Sequence, residues 1–415
     1  MKVITAALGA LLGATALSSP AWAQLSPQGM VQGRVARNVE FGARVTTAYD
    51  SNLSRTSKAA AELSGIDPSD TVVTPSLSAN IIAPVGRQAV FLNGTISYVF
   101  HDKNDDLDSS RINLNGGVGG SLGPCGAVLT GDYSRGRTDF DDFTLDTTIR
   151  NIREAKTVGA NVACTRATGL GIFGSGSHSW ISSSAVQFAL SDSETTSGSA
   201  GISYGRPSLG SVSIFGSYSR TDYPDRPTVT PGTSGFETRA AGASYERQLG
   251  GRIRGSLSVS YTEAEDIGPP LPGAVVGAAG TFSGVTYDAN ASYRASSRLQ
   301  FQADLERSVN PTVISSGSFE VQTSYSVNAN YRLGTRLTLG AGARRSDIEL
   351  DGAGFGPPAL ALTDSRSTQV FGSVSYRQSD RASLTLDYTN EQRDSDNPLF
   401  NYTNNRVSLS LNVTF

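Results

Sequence analysis

Histidine, cysteine and lysine are scarce in this chain: two, two and four residues out of 415. His101 and His178 stand far apart in sequence, so metal or catalytic chemistry that needs grouped imidazoles has little to draw on. No CxxC pair, nucleotide-binding loop, EF-hand spacing or heptad run is present, which leaves no cofactor or metal to expect and no nucleic-acid partner. Beyond the first 23 positions, no stretch approaches the ~20 uninterrupted apolar residues of a membrane helix. Hydrophobic residues make up only 38%, mean hydropathy is −0.20, and glycine alone contributes 45 residues. That is a poor supply for a large dry core. The net charge of −3 selects no partner by itself.

The amino terminus has a pattern of its own. Lys2, the apolar run Val3 to Leu17 and the small-x-small site Ala21-Trp22-Ala23 read as a signal peptide covering residues 1–23, removed on export. Residues 24–38 form a short polar lead-in, and 39–415 carry everything else. That lead-in is too short for a plug domain of the kind energy-coupled receptors place ahead of a barrel.

What the rest contains is alternation of period two. The spacing predicts eighteen strands, at 39–50, 71–84, 89–101, 110–121, 126–138, 156–165, 168–181, 195–205, 211–221, 236–247, 252–263, 281–294, 298–308, 318–332, 336–347, 367–377, 381–392 and 402–415. In the fourteenth, Phe319, Val321, Thr323, Tyr325, Val327, Ala329 and Tyr331 share one face, and Glu320, Gln322, Ser324, Ser326, Asn328, Asn330 and Arg332 the other. The connections alternate between tight turns and longer, more acidic or proline-rich loops. Tyrosines gather at strand ends on the apolar face, with Tyr204, Tyr245, Tyr293, Tyr331 and Tyr376 near the tight turns and Tyr49, Tyr98, Tyr133, Tyr218, Tyr261 and Tyr388 near the loops. Short turns on one side, long loops on the other and two aromatic girdles predict an all-β, transmembrane antiparallel up-and-down β-barrel of about 18 strands. Arginines concentrate on the tight-turn side and carboxylates in the loops.

Strand phase then assigns the inside. Glu40, Arg44, Arg111, Asp132, Arg254, Asp288, Asp304, Glu306, Glu320 and Asp387 face the lumen, where water makes ionised groups affordable. Either a selectivity filter or structural salt bridges across the lumen explains them. Asp288, Asp304, Glu306 and Glu320 fall on three consecutive strands and make one acidic wall segment. Cys125 and Cys164 lie opposite one another at the turn-side ends of the fifth and sixth strands, in the same phase, and an exported chain meets an oxidising compartment, so a cross-strand disulfide is expected. His178 sits among Ser175, Ser177 and Ser179, but Ser/His proximity is cheap in so serine-rich a segment, and an enzyme is not the reading.

Two resemblances follow from these residues. Phe415, closing an alternating last strand, resembles the assembly signal of bacterial outer-membrane barrels, which implies the barrel assembly machinery as a partner and outer-membrane lipid and lipopolysaccharide as surroundings. Tyr49-Asp50-Ser51-Asn52-Leu53 resembles the motif at the first strand of the second outer-membrane β-barrel porin family, some of whose members are encoded near exopolysaccharide export genes. The resemblance implies a Gram-negative cell outer membrane location and a porin-like channel for passive passage of polar solutes or export of polysaccharide. The alternative is a non-conducting structural or surface-interaction barrel of the envelope, favoured if a loop folds into the lumen.

Overall fold

The computed structural model describes residues 36–63, 65–137, 151–166, 168–206, 208–226, 234–267, 281–312, 319–351 and 363–415. The expected signal peptide, most of the lead-in and the loop carboxylates Asp139, Asp141, Asp142 and Asp146 lie outside them. Eighteen strands form the wall: β1 (Asn38–Asp50), β2 (Asp70–Val85), β3 (Gln88–His101), β4 (Ser109–Leu122), β5 (Cys125–Arg137), β6 (Ile152–Thr165), β7 (Leu170–Ser183), β8 (Ser193–Arg206) and β9 (Gly210–Tyr223). They continue with β10 (Ser234–Leu249), β11 (Ile253–Ile267), β12 (Thr281–Arg294), β13 (Leu299–Pro311), β14 (Phe319–Leu333), β15 (Leu337–Asp351), β16 (Asp364–Arg377), β17 (Ala382–Ser395) and β18 (Tyr402–Thr414). A short helix, α1 (Lys58–Leu63), rides in the first loop.

Every strand pairs antiparallel with its sequence neighbours, and β1 pairs with β18 from Gly42↔Thr414 to Asp50↔Arg406, so the sheet closes on itself. Closure leaves no free edge strand at either end of the sheet. A strand of 14 residues runs about 46 Å, and at a tilt of about 40° stands about 35 Å tall, more than the ~25 Å apolar band of a membrane barrel. The surplus sits on the loop side. There the outward positions change from Val, Leu and Tyr to ion pairs: Lys156 with Glu154 at 2.8 Å, Arg220 with Asp222 at 3.0 Å, and Arg366 with Asp347 at 2.8 Å. This explains why β6, β11, β15 and β16 are longer than their alternation predicted: once both faces are polar, period two loses its contrast.

Within the girdled band, the outward face is apolar and exposed, with Leu77, Ile172, Ile214 and Val327 each more than half accessible. Among the described residues, most buried apolar side chains gather in three small clusters, in keeping with the low hydrophobic content. On the tight-turn side Gly250 and Gly334 adopt φ of +58° and +74°, a backbone region open to glycine at little cost.

The loop-side ends of β1 and β18 are fastened by the Asp50-Ser51-Asn52 segment. The Asn52 backbone N–H and the Ser51 hydroxyl both donate to Asn404 Oδ1, at 3.0 and 3.2 Å. Ser51 N–H donates to the Asn405 carbonyl and Asn405 N–H returns to Ser51 Oγ, at 3.0 and 2.8 Å. Asn52 Nδ2 also donates to the Thr56 carbonyl at 3.0 Å, turning the first loop back over the rim. The motif that carried the family resemblance is thus a clasp across the first and last strands.

Candidate functional site

The lumen is where polar chemistry converges, and all ten inward candidates project into it by strand phase. Glu40 and Arg44 lie on β1, and Arg44 Nε donates to Asn412 Oδ1 on β18 while its charge attracts Asp387 on β17. Asp387 is held in turn by Ser408. Asp132 accepts from Asn115 on β4, the strand that also carries Arg111, whose stem lies over Gly136. Arg254 on β11 pairs with Glu246 on β10 at 2.8 Å.

The acidic segment spans β12 to β14. Asp288 and Glu306 stand directly opposite in the ladder, an arrangement that like charges disfavour at close range. Asp304 is hydrogen-bonded from three directions, by Asn290, by Gln302 at 3.3 Å and by Ser326 at 3.0 Å. Glu320 lies four positions above Ser324, the cross-strand partner of Glu306. These groups form one continuous carboxylate and amide surface.

The inward positions of β7, β8 and β9 carry no charge at all. Their inward side chains are Ser, Thr, Gly, Phe, Ile and Tyr, and the hydroxyls bond one another: Ser175 with Ser199 at 2.6 Å, Ser177 with Ser197 at 2.7 Å, Thr195 with Thr221 at 2.9 Å. The lumen is therefore two-sided, with a neutral hydroxyl wall and a charged and amide wall. The serine repeat at every second position is legible in the sequence, where its only evident company is His178. Those serines point inward, whereas His178 shares the outward phase of Ile172 and Trp180, with its ring 4.2 Å from the Trp180 ring and Nδ1 2.7 Å from Thr196 Oγ1. His101 Nδ1 lies 3.2 Å from Asp108.

Four inward phenylalanines lie across glycines directly opposite in the ladder: Phe91 on Gly117, Phe173 on Gly201, Phe215 on Gly242 and Phe371 on Gly342. A Cβ at any of these glycines would fall 2.4 to 2.9 Å from the ring tip, so only glycine accepts the flattened ring. Cys125 and Cys164 are in register and joined by a disulfide.

The mouth is narrowed from two sides. On one, the first loop and residues 102–108 pack Leu53, Ile66 and Leu107 onto the inward Val72 and Val99. Fully buried Asp70 organises this cap by accepting the backbone N–H groups of Thr71, Asp102, Lys103 and Asn104 at 2.7 to 3.1 Å. On the other, the β12–β13 ladder stops at Tyr287↔Arg307, although β13–β14 continues to Pro311↔Phe319. Above that point the wall overlaps itself. Phe319 and Val321, expected on the outward face with Tyr325, are instead buried against the inward residues Phe236, Ala264 and Tyr223. The face of this stretch that phase assigns to the outside is here covered by protein, a circumstance to which strand phase is blind.

The fold defines a closed, 18-stranded antiparallel barrel. Residues 241–415, the part from β10 onward, match the family described as "Putative beta-barrel porin 2". None of the curated proteins matches. Among solved structures, the chain is similar to OccK2 (OpdF) of Pseudomonas aeruginosa in complex with glucuronate, at 12% identity and TM-score 0.49 over 91% of this chain and 98% of that one. A BenF-like porin from Pseudomonas fluorescens Pf-5 gives 11% and 0.47 over 91% and 99%, and OccAB3 of Acinetobacter baumannii gives 10% and 0.47 over 92% and 100%.

Proposed function

We propose that this chain is a non-enzymatic outer-membrane channel through which polar solutes pass passively, with polysaccharide as the candidate large cargo. The observation that carries the reading is the pairing of an apolar, exposed outer face with a lumen that carries a hydroxyl sector on β7–β9 and a carboxylate–amide sector on β12–β14. Eighteen strands enclose more space than their own side chains fill, unlike barrels of about eight. The family match from residue 241 to the end supports a porin-like role. Lipopolysaccharide and outer-membrane lipid are the surroundings this outer face suits, and the barrel assembly machinery is the partner for the Phe415 end.

Purified protein in a planar bilayer should show stepwise conductance with cation preference, and Asp304→Asn combined with Glu306→Gln should reduce that preference. Silent bilayers with verified insertion would reject the channel. An epitope placed near Asp105 should be detected on intact cells and one near Gly334 should not; Phe415→Ala should impair assembly more than Asn412→Ala. The second reading, a non-conducting envelope barrel, is favoured by one feature: the overlap of β13 and β14 with β9 to β12 across the mouth.

A further inference from the structure

We infer that the loop-side ends of β13 and β14 form a hinged lid, closed in this structure, that opens by completing the β12–β13 ladder. The inference rests on the channel reading only for what the lid controls.

Three observations define the closed state. The ladder between β12 and β13 ends at Tyr287↔Arg307, while Thr281 to Thr286 remain part of the wall through β11. The loop-side ends of the two strands lean across the mouth: the Phe319 ring lies 5.5 Å from Phe236 of β10, and the Thr312 backbone reaches the Tyr223 hydroxyl at the end of β9. Arg226 lies over the other face of that arrangement, its guanidinium 3.7 Å from the Tyr223 ring centre. The contact therefore joins strands that a simple cylinder keeps three to four positions apart.

The sequence supplies the open state. Continuing the existing register upward sets Thr286 opposite Ser308, Val285 opposite Val309 and Gly284 opposite Asn310. Val285 faces outward and is half exposed, and Val309 has the same phase, so the completed ladder would restore a matching outward pair. Phe319 and Val321 would then join the outward face that Tyr325 and Val327 already occupy. Both states satisfy apolar side chains, one in a protein cluster and the other at the level of the outer aromatic girdle, and the closed one leaves the ladder unfinished. Tyr287 and Arg307 are the hinge, because they form the last pair common to both.

Two cysteine pairs, each in a Cys125→Ser/Cys164→Ser background, test the lid. Phe236→Cys with Phe319→Cys should crosslink in folded protein and, once joined, hold conductance low until reductant is added. Val285→Cys with Val309→Cys should crosslink slowly, trap the open state and raise conductance. Adding Phe319→Ala to the second pair should speed its crosslinking by about a hundredfold, the ratio expected when a fully buried phenylalanine is truncated. Heat-modifiable migration on gels checks that each variant is a folded barrel. Failure of the Val285/Val309 pair to crosslink in folded protein, with Phe319→Ala as well, overturns the lid. Crosslinking that leaves a measurable conductance unchanged overturns its gating role. Crosslinking as expected with every variant silent supports the moving lid and rejects the channel instead.

Discussion

Replacing Cys125 and Cys164 with serine isolates a contribution that acts almost wholly on the unfolded chain. The residues are 39 apart, and β5 and β6 pair without interruption from Cys125↔Cys164 to Arg137↔Ile152. The ladder survives without the bridge, so the native wall changes little. The unfolded chain, by contrast, loses a closed loop of about 40 residues, which on the chain-entropy account destabilises the barrel by about 4 kcal/mol. The denaturant slope should also rise, because an uncrosslinked chain exposes more surface. Trp180, outward on β7 and 39% exposed, is a native fluorescent reporter one strand from β6. Denaturant titrations of protein folded in detergent should place Cys125→Ser, the double variant and the reduced wild type on one curve, well below the oxidised protein. Equal midpoints for oxidised wild type and double variant would refute the reasoning, as would a reduced wild type that stayed on the oxidised curve.

Three further outcomes are expected. Asn404→Ala removes the acceptor shared by Ser51 and Asn52 at a site 3% exposed, and should cost about 1 to 2 kcal/mol in the same titration, as two hydrogen bonds from half-buried donors are lost. Gly342→Ala would set a methyl 2.4 Å from the Phe371 ring tip and 2.6 Å from the Val327 carbonyl, and should destabilise by about 1 to 3 kcal/mol, whereas Gly334→Ala meets no atom and is strained only by its positive φ. Asp192, between the 3₁₀ turn Val186–Ser191 and β8, has its carboxyl pushed above the usual range chiefly by burial, against the opposing hydrogen bond from Ser183 N–H at 2.8 Å. The native state thus holds this proton more tightly than the unfolded state. Amide protection of the turn should increase as pH falls through the raised value and level off below the ordinary one, and Asp192→Asn should abolish that dependence.

How much was legible follows from what period two encodes. It encodes the strand count, the tight turns and the opposition of Cys125 and Cys164, since all depend only on phase and local register. It was silent on where a strand goes once it leaves the band. Phe319 has the same phase whether it faces lipid or Phe236, so the overlap could not be read from alternation. Asp70 lies one position before the second predicted strand, and its role as acceptor for residues 102–104 depends on a turn 32 or more residues away. The hydroxyl wall failed for a different reason: serine is neutral to both pattern and charge arguments, and its significance appears only when three adjacent strands are seen to repeat it.

The pairing of β1 with β18 leaves the two ends of the wall as neighbours, with the Phe415 N–H donating to the Phe41 carbonyl at 2.9 Å. A short linker from Phe415 to Val39 would add one more tight turn to those already on that side, and the wall would become a ring with no preferred starting strand. Opened instead at a loop between two other strands, the permuted chain would have the same inside and outside but would finish on a different residue. Such a molecule separates two things the natural order binds together: what the terminal aromatic contributes to the finished wall, and what it contributes merely by coming last.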